Sequence, residues 1–147
     1  MDARRNLEAW RLACLAIDPQ RTAEAANYGG HLVTSDPLHS PAIAWAVARN
    51  WRVPPASAEA LARRLRLKEA TPIESLTLVA LHERSGRHDR ALSTLQASRS
   101  ILERTGNEQA WRAWRTQALI AAGRVDEAVA DLPEGHRDAA PDLVVGL

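Results

Sequence analysis

The chain has 147 residues, a net charge of +1 and a hydrophobic fraction of 46%, which is enough for a folded core and argues against wholesale disorder. A net charge this small also argues against a nucleic acid or an anionic membrane surface as the main partner. Cys14 is the only cysteine, which excludes an intramolecular disulfide, and no apolar run is long enough to span a bilayer.

The first predicted helix covers residues 3–17. Leu7, Trp10, Cys14 and Ile17 recur at helical spacing and form one apolar face. A cysteine on such a face usually behaves as a small hydrophobic residue. We therefore expect Cys14 to be buried rather than to act as a nucleophile.

The second predicted helix is bounded by a proline and a glycine pair. Asp18 suits its N-cap and Pro19 its first position. The helix is predicted to run to about residue 28, where Gly29-Gly30 is expected to stop it because glycine disfavours a helix interior. Residues 31–39 are predicted to form a loop, with at most one helical turn.

The third and fourth predicted helices begin at capping serines. Ser40 precedes Pro41, and the third helix is predicted to extend to about residue 51. Ser57 is the predicted N-cap of the fourth helix, which ends near Lys68 in a cluster of cations that suits the negative end of a helix dipole.

The second half of the chain carries the clearest helix signals. Thr71, Pro72 and Glu74 together predict a capping box with proline at the first helical position. Three further helices follow, over about 88–105, 107–122 and 125–132, the last ended by Pro133. No run of alternating β-branched residues predicts a strand, so the fold class is all-α.

Two segments of this half repeat each other. Residues 85–95 read SGRHDRALSTL and residues 122–132 read AGRVDEAVADL, at an offset of 37 residues. Each begins with a small residue followed by Gly-Arg, and then places Asp, a charged residue and Ala at the same positions. A repeat of 20 to 50 residues is the mark of a stacked helical array.

These residues resemble the tetratricopeptide-repeat (TPR) family. Residues 119–129, LIAAGRVDEAV, look like the middle of a TPR unit, and residues 81–92 are similar, while residues 1–70 match more loosely. The resemblance implies a right-handed superhelical array of about four helical hairpins and eight helices over residues 1–133. The units would be about 3–33, 40–68, 71–105 and 107–133, followed by a C-terminal tail over 134–147.

Catalytic and metal-binding patterns are missing from the sequence. The five histidines show no i,i+4 pairing with a carboxylate, and we expect them to be solvated or in turns. There is no phosphate-binding glycine loop and no nucleophile elbow. We expect no enzyme activity, no cofactor and no metal.

The candidate binding residues lie on or just after the predicted first helices of the hairpins, which line the concave groove of a TPR-like array. Tryptophan supplies apolar anchors and arginine supplies donors for acidic groups. The candidate groove residues are Trp10, Trp45, Arg49, Arg52, Arg84, Trp111, Arg112, Trp114 and Arg115. For the tryptophans the alternative is packing between helices, and for the arginines it is a solvated face.

The resemblance implies a scaffold or chaperone that binds a partner protein or peptide in this groove, within a bacterial secretion or export assembly. The exposed ends of a short array also predict self-association or continuation in a longer chain. The alternative is binding of nucleic acid or a regulatory ligand through the arginines. The N-terminus lacks the apolar core of a signal peptide, so we expect a cytoplasmic protein, or a periplasmic one if the chain is a fragment of an exported protein.

Overall fold

The structure is a computed structural model that describes residues 3–132. Within that range all regular structure is helical. A short 3-10 turn, Pro19–Arg21, follows the first helix. The eight α-helices in this range are α1 Ala3–Ile17, α2 Thr22–Ser35, α3 Ser40–Arg49, α4 Pro55–Arg66, α5 Pro72–Arg84, α6 His88–Arg104, α7 Glu108–Ala121 and α8 Val125–Ala130. The prediction of an all-α chain with eight helices is thereby confirmed for these residues, whereas Pro133 and the predicted tail 134–147 lie outside them.

The chain divides into two compact units, Met1–Ala70 and Thr71–Leu147, called here the N-terminal and C-terminal units. Their boundary falls between the predicted repeat units 40–68 and 71–105. None of the helices in residues 3–132 combines the length and the apolar character needed to cross a bilayer.

The core of the N-terminal unit is built from small and branched apolar side chains on packed helices. Helix α1 packs on α2 and α3, and α2 packs on α3. The buried apolar residues of this unit are Leu12, Ala16, Ala25, Leu32, Val33, Ala42, Ile43, Ala46, Leu61 and Ala70. The many alanines allow close approach of neighbouring helices.

Helix α1 has the predicted bounds but buries a different face. It packs through Leu12 and Ala16, while Leu7 and Ile17 stay about 70% exposed. Cys14 is exposed as well, so its predicted burial is wrong. Both faces of α1 are apolar, and the smaller side chains of the buried face fit the closely packed core.

Helix α2 continues through the glycine pair to Ser35, so the predicted break at Gly29-Gly30 is wrong, and the first five residues of the predicted loop 31–39 are helical. Gly29 is buried, and a Cβ atom there would lie 2.9 Å from Cζ3 of the Trp51 ring. The side chain of Leu12 lies on the same side at 3.6 Å. Glycine therefore serves packing at this position and not chain reversal.

This packing predicts opposite effects for two neighbouring substitutions. Gly29→Ala should destabilise the N-terminal unit by about 1–2 kcal/mol, because the strain against the rigid Trp51 ring exceeds the helix propensity gained. Gly30→Ala is the matched control: its Cβ would meet nothing within 4 Å, so it should stabilise by about 0.5–1 kcal/mol. Urea unfolding of the two variants measures the difference, and equal shifts would contradict the packing role of Gly29.

Two of the predicted N-caps are wrong. Helix α3 is capped by His39, whose Nδ1 accepts from the Ala42 amide at 3.3 Å, and Ser40 is its first residue. Helix α4 begins at Pro55, two residues before Ser57, because the fixed φ of proline suits a first helical position. Ser57 is consequently buried inside the helix.

The C-terminal unit begins with the predicted capping box. Thr71 Oγ1 accepts from the Glu74 amide at 3.1 Å, and Glu74 Oε1 accepts from the Thr71 amide at 3.0 Å. Two of the orphan donors at the start of α5 are thereby satisfied. The predicted capping box is therefore confirmed.

The two copies of the repeat have the same turn geometry. Gly86 and Gly123 both lie in the left-handed region, at φ +73° and +79°. The residue after each glycine donates to the carbonyl five residues back, Arg87 to His82 and Arg124 to Leu119, both at 2.8 Å. These are Schellman closures, which satisfy the last carbonyls of α5 and α7 and reverse the chain.

The reversals at Gly86 and Gly123 let α5 pack on α6 and α7 pack on α8, and α6 also packs on α7. The core cluster of this unit consists of Val79, Ala91, Leu95, Leu102, Trp111 and Ala118. Ala91 and its repeat counterpart Ala128 are both buried.

Candidate binding site

Trp111 is fixed between α6 and α7. It lies in the first turn of α7, only 5% exposed, and its indole Nε1 donates to the Leu95 carbonyl of α6 at 2.7 Å. A buried tryptophan needs such a partner for its single donor. The ring is therefore held in one orientation.

Two guanidinium groups lie against this ring. The Arg99 guanidinium carbon is 4.7 Å from the ring centroid and that of Arg115 is 5.9 Å away. Arg99 lies one helical turn after Leu95 on α6, and Arg115 lies one turn after Trp111 on α7. Cations within about 6 Å of an indole are attracted to it, so the tryptophan positions both arginines.

A pocket of about 460 Å³ opens beside this arrangement. It combines three arginines with uncharged donors and acceptors and with apolar surface. Its lining residues are Gln96, Arg99, Trp111, Arg112, Ala113, Arg115, Thr116, Gln117, Asp131 and Leu132. The volume is within the range of ligand sites in proteins.

Each pocket arginine holds one carboxylate of its own unit. Arg99 Nε donates to Glu103 at 2.8 Å and Arg112 donates to Glu108 at 3.0 Å. Arg115 forms an ion pair with Asp131. Asp131 is the only acidic residue among the described lining residues, and together with Glu103 and Glu108 it balances the three guanidinium charges one for one.

Three of the predicted groove residues of the C-terminal unit meet in this pocket, namely Trp111, Arg112 and Arg115. Trp111 is also a member of the core cluster, and Trp114 is half-buried and packs against that cluster. Arg84 is exposed at the end of α5 and is not among the lining residues.

The other predicted groove residues lie in the N-terminal unit. Trp45 is half-buried, and the Arg49 guanidinium lies 5.2 Å from its ring centroid. Arg52 is exposed. Trp10 is 73% exposed on α1. Among these four, Trp45 and Arg49 are the pair that the structure brings together.

Sequence reasoning missed Arg99, the arginine closest to Trp111. It lies on a second helix of a hairpin, whereas the candidates were sought on first helices. Gln96 precedes it by three residues on the same helix and also lines the pocket. Leu95, whose carbonyl accepts the hydrogen bond from Trp111, lies four residues before Arg99 on α6. This spacing places both residues on the same face of the helix.

Among the histidines that the structure describes, His39 departs from the prediction of solvated or turn positions. His39 is 1% exposed, and its Nε2 lies 3.4 Å from Glu8 Oε1. Because its Nδ1 accepts the Ala42 amide, the ring proton of the neutral form lies on Nε2, facing that carboxylate. His39 thus acts as a structural link between α1 and the start of α3.

The histidines beside the α5–α6 turn are partly buried. His88 Nδ1 lies 2.8 Å from Glu83 Oε2. Burial, together with the nearby cations Arg90 and Arg87, lowers the pKa of His82, which favours its neutral form at neutral pH. Within residues 3–132 no three His, Cys, Asp or Glu side chains converge as a metal site would require.

Comparison of the chain with models of protein families, with curated proteins and with solved structures found no match. The TPR-like resemblance therefore rests on the repeated residues alone, and the candidate site rests on its own geometry.

Proposed function

We propose that the protein is a non-catalytic interaction module of TPR-like architecture, and that its C-terminal unit binds an acidic segment of a partner protein in the Trp111 pocket. One observation carries this proposal: Arg99, Arg112 and Arg115 line a single pocket around an immobilised tryptophan. Preorganised guanidinium groups favour binding because little side-chain entropy is lost when the ligand arrives.

The intramolecular ion pairs leave donors for a ligand. A guanidinium group has five N–H donors, and one carboxylate engages at most two of them. Arg99 uses Nε for Glu103, so its terminal nitrogens can still bind a second carboxylate. These remaining donors belong to charged groups, and hydrogen bonds between charged groups are stronger than those to a neutral group, which favours a second carboxylate as the ligand.

The uncharged lining residues support a peptide rather than a lone anion. Gln96, Thr116 and Gln117 offer side-chain groups to a peptide backbone, while Ala113 and Leu132 offer apolar surface. A ligand with Asp or Glu next to a Leu-like side chain matches both chemistries. Arginine is also one of the residues enriched at binding hot spots, and Arg99 and Arg112 are exposed.

The charged side chains of this pocket are unsuited to proton transfer. Arginine stays protonated in proteins, so Arg99, Arg112 and Arg115 cannot exchange protons with a substrate. Asp131 is already paired with Arg115. The site is suited to holding a charge and not to general acid–base catalysis.

The TPR-like part of the proposal is supported by the matching turns at Gly86 and Gly123 and by the buried alanines at equivalent positions. A right-handed superhelix of four hairpins, and a role as scaffold or chaperone in a bacterial secretion or export assembly, extend the same resemblance. Stacked hairpins present their first helices to a ligand, which is where α7 carries Trp111, Arg112 and Arg115.

The test uses a labelled peptide that alternates Glu with Leu, and a counterpart in which every Glu is Gln. Fluorescence anisotropy should detect binding of the acidic peptide at least about tenfold tighter than the amide peptide. Arg112→Gln should weaken binding of the acidic peptide by about tenfold, because a hydrogen bond between charged groups contributes roughly 1.5–3 kcal/mol. Arg112 is exposed, so its replacement should leave folding intact.

Arg49→Gln is the matched control, because Arg49 is an exposed arginine like Arg112 but lies in the other unit, over the Trp45 ring. Its affinity for the peptide should equal that of the unmodified chain. Equal losses in both variants would contradict a site at Trp111. Preference for a single-stranded oligonucleotide, with affinity that falls steeply with salt, would instead support the nucleic-acid alternative.

A further inference from the structure

A second surface, separate from the Trp111 pocket, lies on α1. Leu7, Trp10 and Ile17 are 72%, 73% and 70% exposed, and Cys14 between them is exposed. The four residues form one line along the helix, called here the α1 seam. The opposite face of the helix is already packed in the core through Leu12 and Ala16. An exposed apolar line of this length marks an interaction surface.

We infer that the α1 seam binds the α1 seam of a second copy of this chain, in antiparallel orientation. The seam residues are spaced three, four and three apart, which is the a/d spacing of a two-stranded coiled coil. A helix with this spacing is complementary to another helix that presents the same line of knobs. The α1 seam is a definite surface for the predicted self-association. Its role is independent of the proposed peptide site.

Side-chain size favours the antiparallel orientation. With the two-fold axis level with residue 12, Trp10 of one copy faces Cys14 of the other, and Leu7 faces Ile17. A large side chain then meets a small one in each central layer. Trp10 already borders a shallow depression of about 290 Å³ whose other lining residues are Asn6, Ala9 and Ala13. These small side chains allow the partner helix to approach closely.

Charge favours the same orientation. Arg4 and Asp18 flank the two ends of the seam, with side chains 76% and 43% exposed, and each has a long ion pair within its own chain, Arg4 with Glu8 at 3.8 Å and Asp18 with Arg21 at 3.7 Å. The antiparallel pair places Arg4 of each copy near Asp18 of the other, so opposite charges meet at both ends. A parallel pair instead stacks Trp10 on Trp10 and brings no opposite charges together across the seam. Arg11, beside the centre, lies over the Tyr28 ring of its own unit at 4.7 Å.

The size of the seam indicates a reversible dimer. Three large apolar side chains on one helix of 15 residues provide less than the roughly 800 Å² per partner of a standard stable interface. We therefore expect a monomer in dilute solution and a dimer at high concentration.

The first test is sedimentation velocity of the full chain over a concentration series. The sedimentation coefficient should rise from the monomer value to the dimer value, and Trp10→Asp should shift the midpoint at least about tenfold higher. Ile73→Asp is the matched control, since Ile73 is 69% exposed on α5 but outside the seam; it should leave the midpoint unchanged. A monomer at every concentration, or a dimer that Trp10→Asp does not weaken, would overturn the inference.

The second test fixes the orientation by disulfide trapping in a Cys14→Ser background. Leu7→Cys and Ile17→Cys chains should form a disulfide when mixed under mild oxidation, and neither should form one alone. The geometry is demanding, because bridged Cα atoms lie within about 7 Å of each other. Disulfides within each single variant would show a parallel pair and overturn the antiparallel arrangement. Circular dichroism of each variant confirms that α1 is intact.

Discussion

Replacing Ala91 with arginine is expected to unfold most of the C-terminal unit. Ala91 is fully buried in the core cluster with Val79, Leu95 and Trp111. The new side chain cannot fit there, and its charge would be buried without a partner, which costs several kcal/mol. A domain of this size has a free energy of unfolding of about 5–15 kcal/mol. The expected destabilisation is therefore comparable with the whole free energy of unfolding. Urea unfolding followed by circular dichroism measures it.

Ser93→Arg is the control for this prediction. Ser93 is exposed two residues away on α6, where it donates to the Asp89 carbonyl, and its replacement should change stability by no more than about 0.5 kcal/mol. Ala128→Arg tests the repeat, because Ala128 is the counterpart of Ala91 and is 2% exposed. It should unfold α8 and loosen α7. An Ala91→Arg chain with unchanged helicity and unfolding midpoint would contradict the packed-hairpin fold.

The parts of the fold that sequence reasoning predicted correctly depend on local chemistry. The capping box at Thr71 and Glu74 is complete within four residues, so the chain needs no distant contact to form it. The turns at Gly86 and Gly123, where the repeat places its Gly-Arg pairs, likewise depend on a residue that favours positive φ and on hydrogen bonds that span one helical turn. A local signal of this kind predicts the same structure wherever the segment lies in the fold.

The predictions that were wrong concern residues whose role depends on distant packing. The need for glycine at position 29 comes from the ring of Trp51, which lies 22 residues later, and no feature near Gly29 in the sequence indicates that ring. Helix α1 has two apolar faces, and its own sequence cannot decide which one meets α2. His39 caps α3 and contacts Glu8 of α1, a pair that only the folded chain brings together.

The candidate site likewise has one part that the sequence predicts and another that depends on distant packing. Trp111, Arg112 and Arg115 are neighbours on one helix, so their spacing alone places them together. Arg99 reaches the same ring from α6, and only the packing of α6 on α7 makes that contact. Trp10 and Trp111 both lie on predicted first helices, yet Trp10 is exposed and Trp111 is buried.

That contrast gives the second large prediction. Trp111→Ala should destabilise the C-terminal unit by about 3–5 kcal/mol, the usual cost of removing a large buried aromatic side chain. The hydrogen bond to the Leu95 carbonyl is lost as well, and that carbonyl then keeps only its bonds within α6, among them the one from Ser98 Oγ at 3.2 Å. Trp10→Ala should change stability by no more than about 0.5 kcal/mol, because Trp10 is 73% exposed. Urea unfolding at low protein concentration, where the proposed dimer is dissociated, gives both values.

Trp111→Phe separates packing from hydrogen bonding at this position. Phenylalanine keeps an aromatic ring beneath Arg99 and Arg115 but lacks the indole donor, so its cost should be intermediate between those of the unmodified chain and Trp111→Ala. Peptide affinity should fall with it, because the ring that positions the two guanidinium groups is no longer held by the Leu95 carbonyl. Equal stability losses for Trp111→Ala and Trp10→Ala would contradict the assignment of Trp111 to the core and Trp10 to the surface. They would also remove the physical basis for a preorganised arginine pocket, since a mobile indole cannot hold two cations in place.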